Sequence, residues 1–291
     1  MDRRSGKNWL TDQSEMGSDV YLMIGDKFCF GPSPAAGFEY IDQRSERQPD
    51  GSAELRIHFA LRPENLELTL LYRCFDNSPF LEQWCRLENK SEKPSAAVER
   101  FDPFFLAVEA GPGEQQLYLH WLNGIRDHGY QRGVGEDLQP FPPYRLRKEP
   151  LRAGSQIQLN SSAPDERRGR KEMGSTNYFT WFALEDADQP GGLTGGLQWE
   201  GAWVLNFDHW SAHQIHIYGG VNKCSHLLDP GGVLESPRVF YGPIMEAWTT
   251  AFATSITTCA VTSCLLTPTT VFRGFITTRG SLICGESRIR C

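Results

Sequence analysis

Apolar and polar residues alternate with a period of two along much of this chain. Leu55, Ile57, Phe59 and Leu61 alternate with Arg56, His58 and Ala60, and Leu66, Leu68, Leu70 and Tyr72 alternate with Glu67, Thr69 and Leu71. Successive side chains of a strand point to opposite faces, so such runs predict strands with one face on a core. Arg62-Pro63-Glu64-Asn65 between them reads as a turn, which makes the pair a hairpin. Further strands are expected at Phe80 to Leu87, Phe104 to Val108 and Gln156 to Leu159. Gly111-Pro112-Gly113, Pro140-Phe141-Pro142-Pro143, Gly191-Gly192, Gly219-Gly220 and Pro230-Gly231-Gly232 read as turns between short strands. No long segment before residue 244 has helical periodicity. The pattern predicts an all-β fold, an antiparallel sandwich or barrel.

Composition fits a domain with a substantial core. Of 291 residues, 40% are hydrophobic and 12% aromatic, far from the composition of a disordered chain. The formal charge of −7 argues against nucleic acid or an anionic membrane as the main partner. No Gly-rich phosphate loop is present, so nucleotide chemistry is not expected. Met1 to Gln13 is polar and has no apolar secretory core, which makes the cytoplasm the expected compartment. Cys29, Cys74, Cys85 and Cys224 lie scattered in apolar stretches and are expected to be buried free thiols. The charged run Asp165 to Glu172 reads as a solvated loop. His209, His213 and His216 have no carboxylate cluster beside them, so neither metal nor cofactor is expected. No Ser–His–Asp order has a supporting elbow motif.

The densest information lies between Asn177 and Gly242. An aromatic strand, Tyr178 to Leu184, is followed by an acidic turn, Glu185-Asp186-Ala187-Asp188. Then comes Gly192-Leu193-Thr194-Gly195-Gly196-Leu197-Gln198-Trp199-Glu200-Gly201-Ala202-Trp203. Val204, Asn206 and Asp208 next alternate with Leu205, Phe207 and His209. The stretch closes on Asp229-Pro230-Gly231-Gly232 and Pro237-Arg238-Val239-Phe240-Tyr241-Gly242. In a regular strand Trp199 and Trp203 would share a face, with Gly201 allowing a bulge or a close backbone approach. They read either as core residues or as rings presented at a groove, where aromatic faces stack on sugar C–H surfaces.

This segment resembles the N-terminal domain of the family 36 glycoside hydrolases, the microbial α-galactosidases. The run Phe80-Leu81-Glu82-Gln83-Trp84-Cys85-Arg86-Leu87-Glu88-Asn89 is also similar to a strand of that family. The likeness covers roughly residues 20 to 243. It implies a large antiparallel β-supersandwich of the galactose-mutarotase type, preceding a (β/α)8 catalytic barrel. It further implies a parent enzyme that hydrolyses terminal α-galactosides with retention, through two aspartates on the barrel. No position here matches either aspartate motif, and Asp127, Asp186, Asp188 and Asp208 read as turn or surface residues. No catalytic residue is therefore assigned. Trp199 and Trp203 are the candidate substrate-binding or pocket-supporting residues. The implied partners are a galactoside or related carbohydrate, the missing barrel and further copies of the chain, with no nucleic acid and no membrane.

After Pro243 the character of the sequence changes, dividing the chain into an extension (1–19), the sandwich (20–243) and an irregular tail (244–291). No charged residue lies between Ala247 and Arg273, threonines crowd the stretch, and Cys259, Cys264, Cys284 and Cys291 fall in this tail. Ala247 to Leu266 is long enough for a membrane span but carries six Thr and two Ser. The cysteines have poor zinc spacing. A shifted reading frame explains the composition better. Reading the last base of each codon from Met245 to Gly280 with the first two of the next can give a charged linker, a proline-rich stretch and an aromatic strand ending in Asn-Thr-Trp. Some steps are forced, since Met245-Glu246 can give only Gly and Trp248-Thr249 only Asp. Two functions from different classes follow. One is the non-catalytic domain of an α-galactosidase-like hydrolase, inactive alone. The other is a free-standing carbohydrate-binding or mutarotase-like sandwich, which would need a His and a Glu across a groove, such as His128 or His209 with Glu200.

Overall fold

A computed structural model describes residues 19–62, 64–76, 78–109, 117–123, 146–161, 178–187, 191–199, 201–211 and 214–244. The first strands are β1 (Val20–Ile24), β2 (Lys27–Gly31), β3 (Phe38–Arg47), β4 (Ala53–Leu61), β5 (Leu66–Cys74) and β6 (Leu81–Asn89). Then come β7 (Val98–Asp102), β8 (Phe104–Glu109), β9 (Leu117–Asn123), β10 (Leu146–Pro150), β11 (Gln156–Asn160) and β12 (Tyr178–Asp186). The last are β13 (Gly192–Gln198), β14 (Trp203–Ser211), β15 (Gln214–Val221), β16 (Val233–Glu235) and β17 (Arg238–Pro243). The only helical turn among the described residues is the 3-10 segment Pro34–Ala36.

The strands form one long sheet faced by two short ones. The long sheet has ten strands in the order β10-β9-β12-β13-β17-β6-β5-β4-β3, with β16 also paired to β6. The short sheets are β11-β14-β15-β8 and β2-β1-β7. Every pairing is antiparallel. The predicted hairpin is β4–β5, in register from Ala53 opposite Cys74 to Leu61 opposite Leu66.

Alternation along the strands sets the two cores. Leu119, Trp121, Phe182, Leu184, Leu193, Leu197, Val239 and Tyr241 of the long sheet meet Phe104, Leu106, Trp203, Leu205, Phe207, Ile215 and Ile217 of the four-stranded sheet. Leu61, Leu66, Leu68, Leu70, Cys85 and Leu87 meet Val20, Leu22, Val98 and Phe101 of the three-stranded sheet. Each fully buried side chain of this size contributes about 1.5–3 kcal/mol, which makes these interfaces the main source of stability. The expected supersandwich is thus the observed fold.

The chain crosses from one short sheet to the other at Pro103, between β7 and β8. Gln83 on β6 ties this seam together. Its amide nitrogen donates to the carbonyls of Pro103 (2.9 Å) and Asp19 (3.0 Å), and its oxygen accepts from the Tyr241 hydroxyl at 2.9 Å. Its nitrogen and its oxygen both have partners, as a buried amide requires.

Several expectations change. Gly219-Gly220 is not a turn but the interior of β15. A Cβ on Gly219 would lie 2.1 Å from the Val204 carbonyl oxygen, and one on Gly220 2.6 Å from that of Phe101. The glycines are there because neighbouring backbones approach closely. Glu185 and Asp186 belong to β12 rather than to a turn, and Asp186 is buried. Asp208 lies in β14, half-buried and bonded to Tyr218, not in a surface turn. Cys29 and Cys85 are buried, but Cys74 is exposed at the end of β5. The turns at 111–113 and 140–143, the loop 165–172, Asp127, Asp188 and the tail after Ile244 lie outside the described residues.

Candidate functional site

The face of the long sheet that points away from both cores carries the densest chemistry. Register places its residues in rows across the strands. One row runs Trp181, Gly196, Phe240, Glu82, Arg73 and Glu54, and Leu146 stands opposite Leu122 across the irregular stretch between β9 and β12. The neighbouring row runs Lys148, His120, Ala183, Thr194 and Gly242. In the middle, Phe80, Leu122, Trp181, Ala183, Phe240 and Ile244 form a third apolar cluster, buried although it lies on the outer side. The segment Pro237 to Gly242 builds much of it. Val239 and Tyr241 point into the core, while Arg238, Phe240 and Gly242 take the outer face.

To one side of the apolar strip stand two buried carboxylates with opposite electrostatics. Glu54 is bound by Arg56 at 2.6 Å and Arg73 at 2.8 Å. Burial alone would raise its pKa, but the hydrogen bonds and charges of the two arginines leave it below the usual carboxylate range. Glu82 is 1% exposed. Arg238 stands 3.9 Å from one carboxylate oxygen, and Gln198 reaches the other at 3.5 Å. Burial therefore wins, and the pKa of Glu82 is raised. Beside Glu82 on β6, the Trp84 ring is covered by the guanidinium groups of Arg238, 4.5 Å from its centroid, and Arg73, 5.5 Å from it.

A raised native pKa means that the folded state holds the Glu82 proton more tightly than the unfolded chain. The stability this group contributes is then fullest below about pH 4.5 and is lost as the pH rises through its native pKa. Glu82→Gln should accordingly raise the melting temperature more at pH 7 than at pH 4. Arg238 is partly exposed and stays solvated without its partner. Thermal melts of both proteins at the two pH values check this, and an equal shift at both contradicts it.

On the other side lies a three-member polar group. His120 Nε2 is 2.8 Å from Glu185 Oε2, and Lys148 Nζ donates to the same oxygen at 2.8 Å. The Lys148 ammonium also sits 4.2 Å from the Tyr118 ring centroid. Burial is the largest influence on His120 and lowers its pKa, against the opposing pull of Glu185. Burial thus favours the neutral imidazole, oriented by the Glu185 carboxylate. Among the described residues, no group of three or more His, Cys, Asp or Glu is arranged to hold a metal ion.

The structure does not bring the two sequence-selected tryptophans together. Trp203 opens β14 with no exposed surface, inside the core against the four-stranded sheet. Trp199 falls in the connection between β13 and β14, 39% exposed, with its indole Nε1 2.6 Å from where a Gly201 Cβ would stand. The chain turns at this glycine, so the shared face of a regular strand does not exist here. His209 points inward and bonds the Leu151 carbonyl at 3.0 Å, away from any groove. Glu200, His128 and His213 lie outside the described residues. The His–Glu pair that is observed, His120 with Glu185, joins positions 65 residues apart. No local spacing could have shown it.

The fold matches solved glycosidases. A family 36 α-galactosidase from Geobacillus stearothermophilus, in complex with stachyose, aligns with a TM-score of 0.62 at 15% identity, covering 83% of this chain and 32% of that one. A second family 36 α-galactosidase of that organism gives 0.61 at 14%, covering 84% and 32%. An α-galactosidase from Lactobacillus brevis gives 0.61 at 13%, covering 82% and 30%. The chain thus spans about a third of the length of these enzymes, and at such identities the likeness is one of fold. No protein-family model matches the chain, and no curated protein matches it in sequence.

Proposed function

We propose that this chain is the non-catalytic β-sandwich domain of an α-galactosidase-like glycoside hydrolase. The observation that carries the reading is the fold match, which takes in over four-fifths of this chain and only about a third of each α-galactosidase. The parent enzyme acts on terminal α-galactosides, with its two aspartates on a barrel that follows the sandwich. The outer face of the long sheet is the surface that meets this barrel. Ile244, where the chain leaves β17, belongs to the apolar strip on that face. The domain shelters one side of the barrel and supports the sugar pocket, with Trp199 the half-exposed ring nearest to such a role. The assembly works in the cytoplasm, as a homo-oligomer. Among the described residues, no helix is long and apolar enough to cross a membrane.

The purified chain should release no nitrophenol from a nitrophenyl α-galactoside under conditions in which a complete α-galactosidase is active. Turnover by this chain alone would sink the reading. A second reading, a mutarotase-like sandwich, is favoured by one feature, the His120–Glu185 pair beside Lys148. Polarimetry with freshly dissolved galactose separates the two. Accelerated anomer interconversion that disappears in His120→Ala would support the second reading over the first.

A further inference from the structure

The outer faces of the two short sheets join into one aromatic surface. On the three-stranded sheet, Tyr21 stacks on Phe30 with centroids 4.5 Å apart and planes 7° apart, and on Phe28 at 6.0 Å. On the four-stranded sheet, Phe105 stacks on Tyr218 at 5.1 Å and packs against His216 at 5.2 Å. Arg100 bridges the seam, its guanidinium 4.5 Å from the Tyr21 ring and 5.4 Å from the Tyr218 ring. Phe28 is 55% exposed, and Phe30, Tyr218 and Arg100 are partly open.

Polar atoms without partners lie on the same surface. Asp208 Oδ2 accepts from the Tyr218 hydroxyl at 2.7 Å, but Asp208 Oδ1 is buried with no hydrogen bond. His216 stands opposite Asp208 in the sheet, and its Nε2 is likewise unpartnered in a side chain that is 5% exposed. Asp102 is fully buried. Arg100 holds its Oδ2 at 2.7 Å, and its Oδ1 has no partner. Buried polar groups are rarely left unpaired, because each costs about 1–3 kcal/mol.

We propose that this surface binds an uncharged sugar ring, with the C–H face of a pyranose on the Phe28, Phe30 and Tyr218 rings and its hydroxyls on Asp208 and His216. The charge pattern selects this class. Arg100 is already neutralised by Asp102, so no free cation attracts an anionic ligand. An uncharged ring with hydroxyls on its rim offers both the apolar face and the donors that the site lacks. The site lies on the opposite side of the sandwich from the long sheet's outer face and does not depend on the reading given above.

Saturation-transfer NMR on the intact chain, with galactose, mannose and glucose tetramers as probes, tests this. Transfer to at least one tetramer is expected. It should weaken about tenfold in affinity in Phe28→Ala and in Tyr218→Ala, the scale of one lost stacking contact with its neighbours. Asp208→Asn should weaken it as well, and Tyr40→Ala, at an exposed ring on β3, should leave it unchanged. Thermal melts confirm folding of each variant. Should Tyr218→Ala fail to fold, Phe28→Ala decides alone, since its ring is exposed. No transfer to any tetramer, or equal transfer in folded Phe28→Ala, overturns the proposal.

Discussion

Trp203→Ala should cost about 3–5 kcal/mol of folding stability, which is a large part of the total for a domain of this kind. The side chain is among the largest fully buried in the molecule. It fills the space between the long sheet and the four-stranded sheet, in the cluster with Leu159, Phe207 and Leu197. Its strand is fixed there by the backbone too. The Trp203 amide donates to the Ser161 hydroxyl at 3.2 Å, and the Ser161 amide donates to the Trp203 carbonyl at 3.0 Å. The walls of the cavity therefore cannot collapse freely, and the loss lies at the upper end of the range. Trp203→Phe should be much milder, since it keeps most of the ring and removes an indole N–H that has no partner. Trp199→Ala, at a partly exposed loop position, should change stability by less than about 1 kcal/mol. Urea denaturation of the three variants gives these values. Comparable losses for Trp199 and Trp203 would contradict the division of roles between them.

Gly196→Ala should have the second largest effect, about 3 kcal/mol, at the severe end for overpacking. Gly196 lies in β13 between Trp181 of β12 and Phe240 of β17. An added Cβ would stand 2.4 Å from the Thr180 carbonyl oxygen and 2.8 Å from the Phe240 ring. The ring can turn aside, but the carbonyl belongs to the β12 backbone and moves only if the pairing of β12 with β13 opens. The double variant with Phe240→Ala should therefore remain destabilised, because the backbone clash persists. Recovery of stability in the double variant would show that the ring alone sets the limit.

Strand positions with one face on a core were the legible part of the sequence. In β4 and β5 the period-two alternation predicted the hairpin, and its register follows from which residues must be buried. Glycine pairs were ambiguous, because the same residues that permit a turn also permit close packing of backbones. Gly219-Gly220 read as a turn and is a point of close approach. The acidic run at Glu185-Asp186 was misread for a related reason. Composition marks it as polar, but the side-chain partner of Glu185, His120 in β9, lies 65 residues earlier, and only the topology shows that this charge is held. The Glu82–Arg238–Trp84 group has the same origin. It depends on β17 returning to lie beside β6, across more than half of the described chain. The glycine–tryptophan and Pro237–Gly242 segments pointed to the right fold, yet their tryptophans turned out to serve separate places.

The central claim is that this sandwich is one domain of a larger α-galactosidase-like enzyme, with the chemistry on the domain that follows. Sequencing the coding DNA from the codon of Ile244 onward, and reading it in the alternative frame, tests it most directly. The expected result is an open frame that encodes a charged linker, a proline-rich stretch, and a barrel that carries two aspartates. A frame closed by stop codons, or open without a barrel, would contradict the claim.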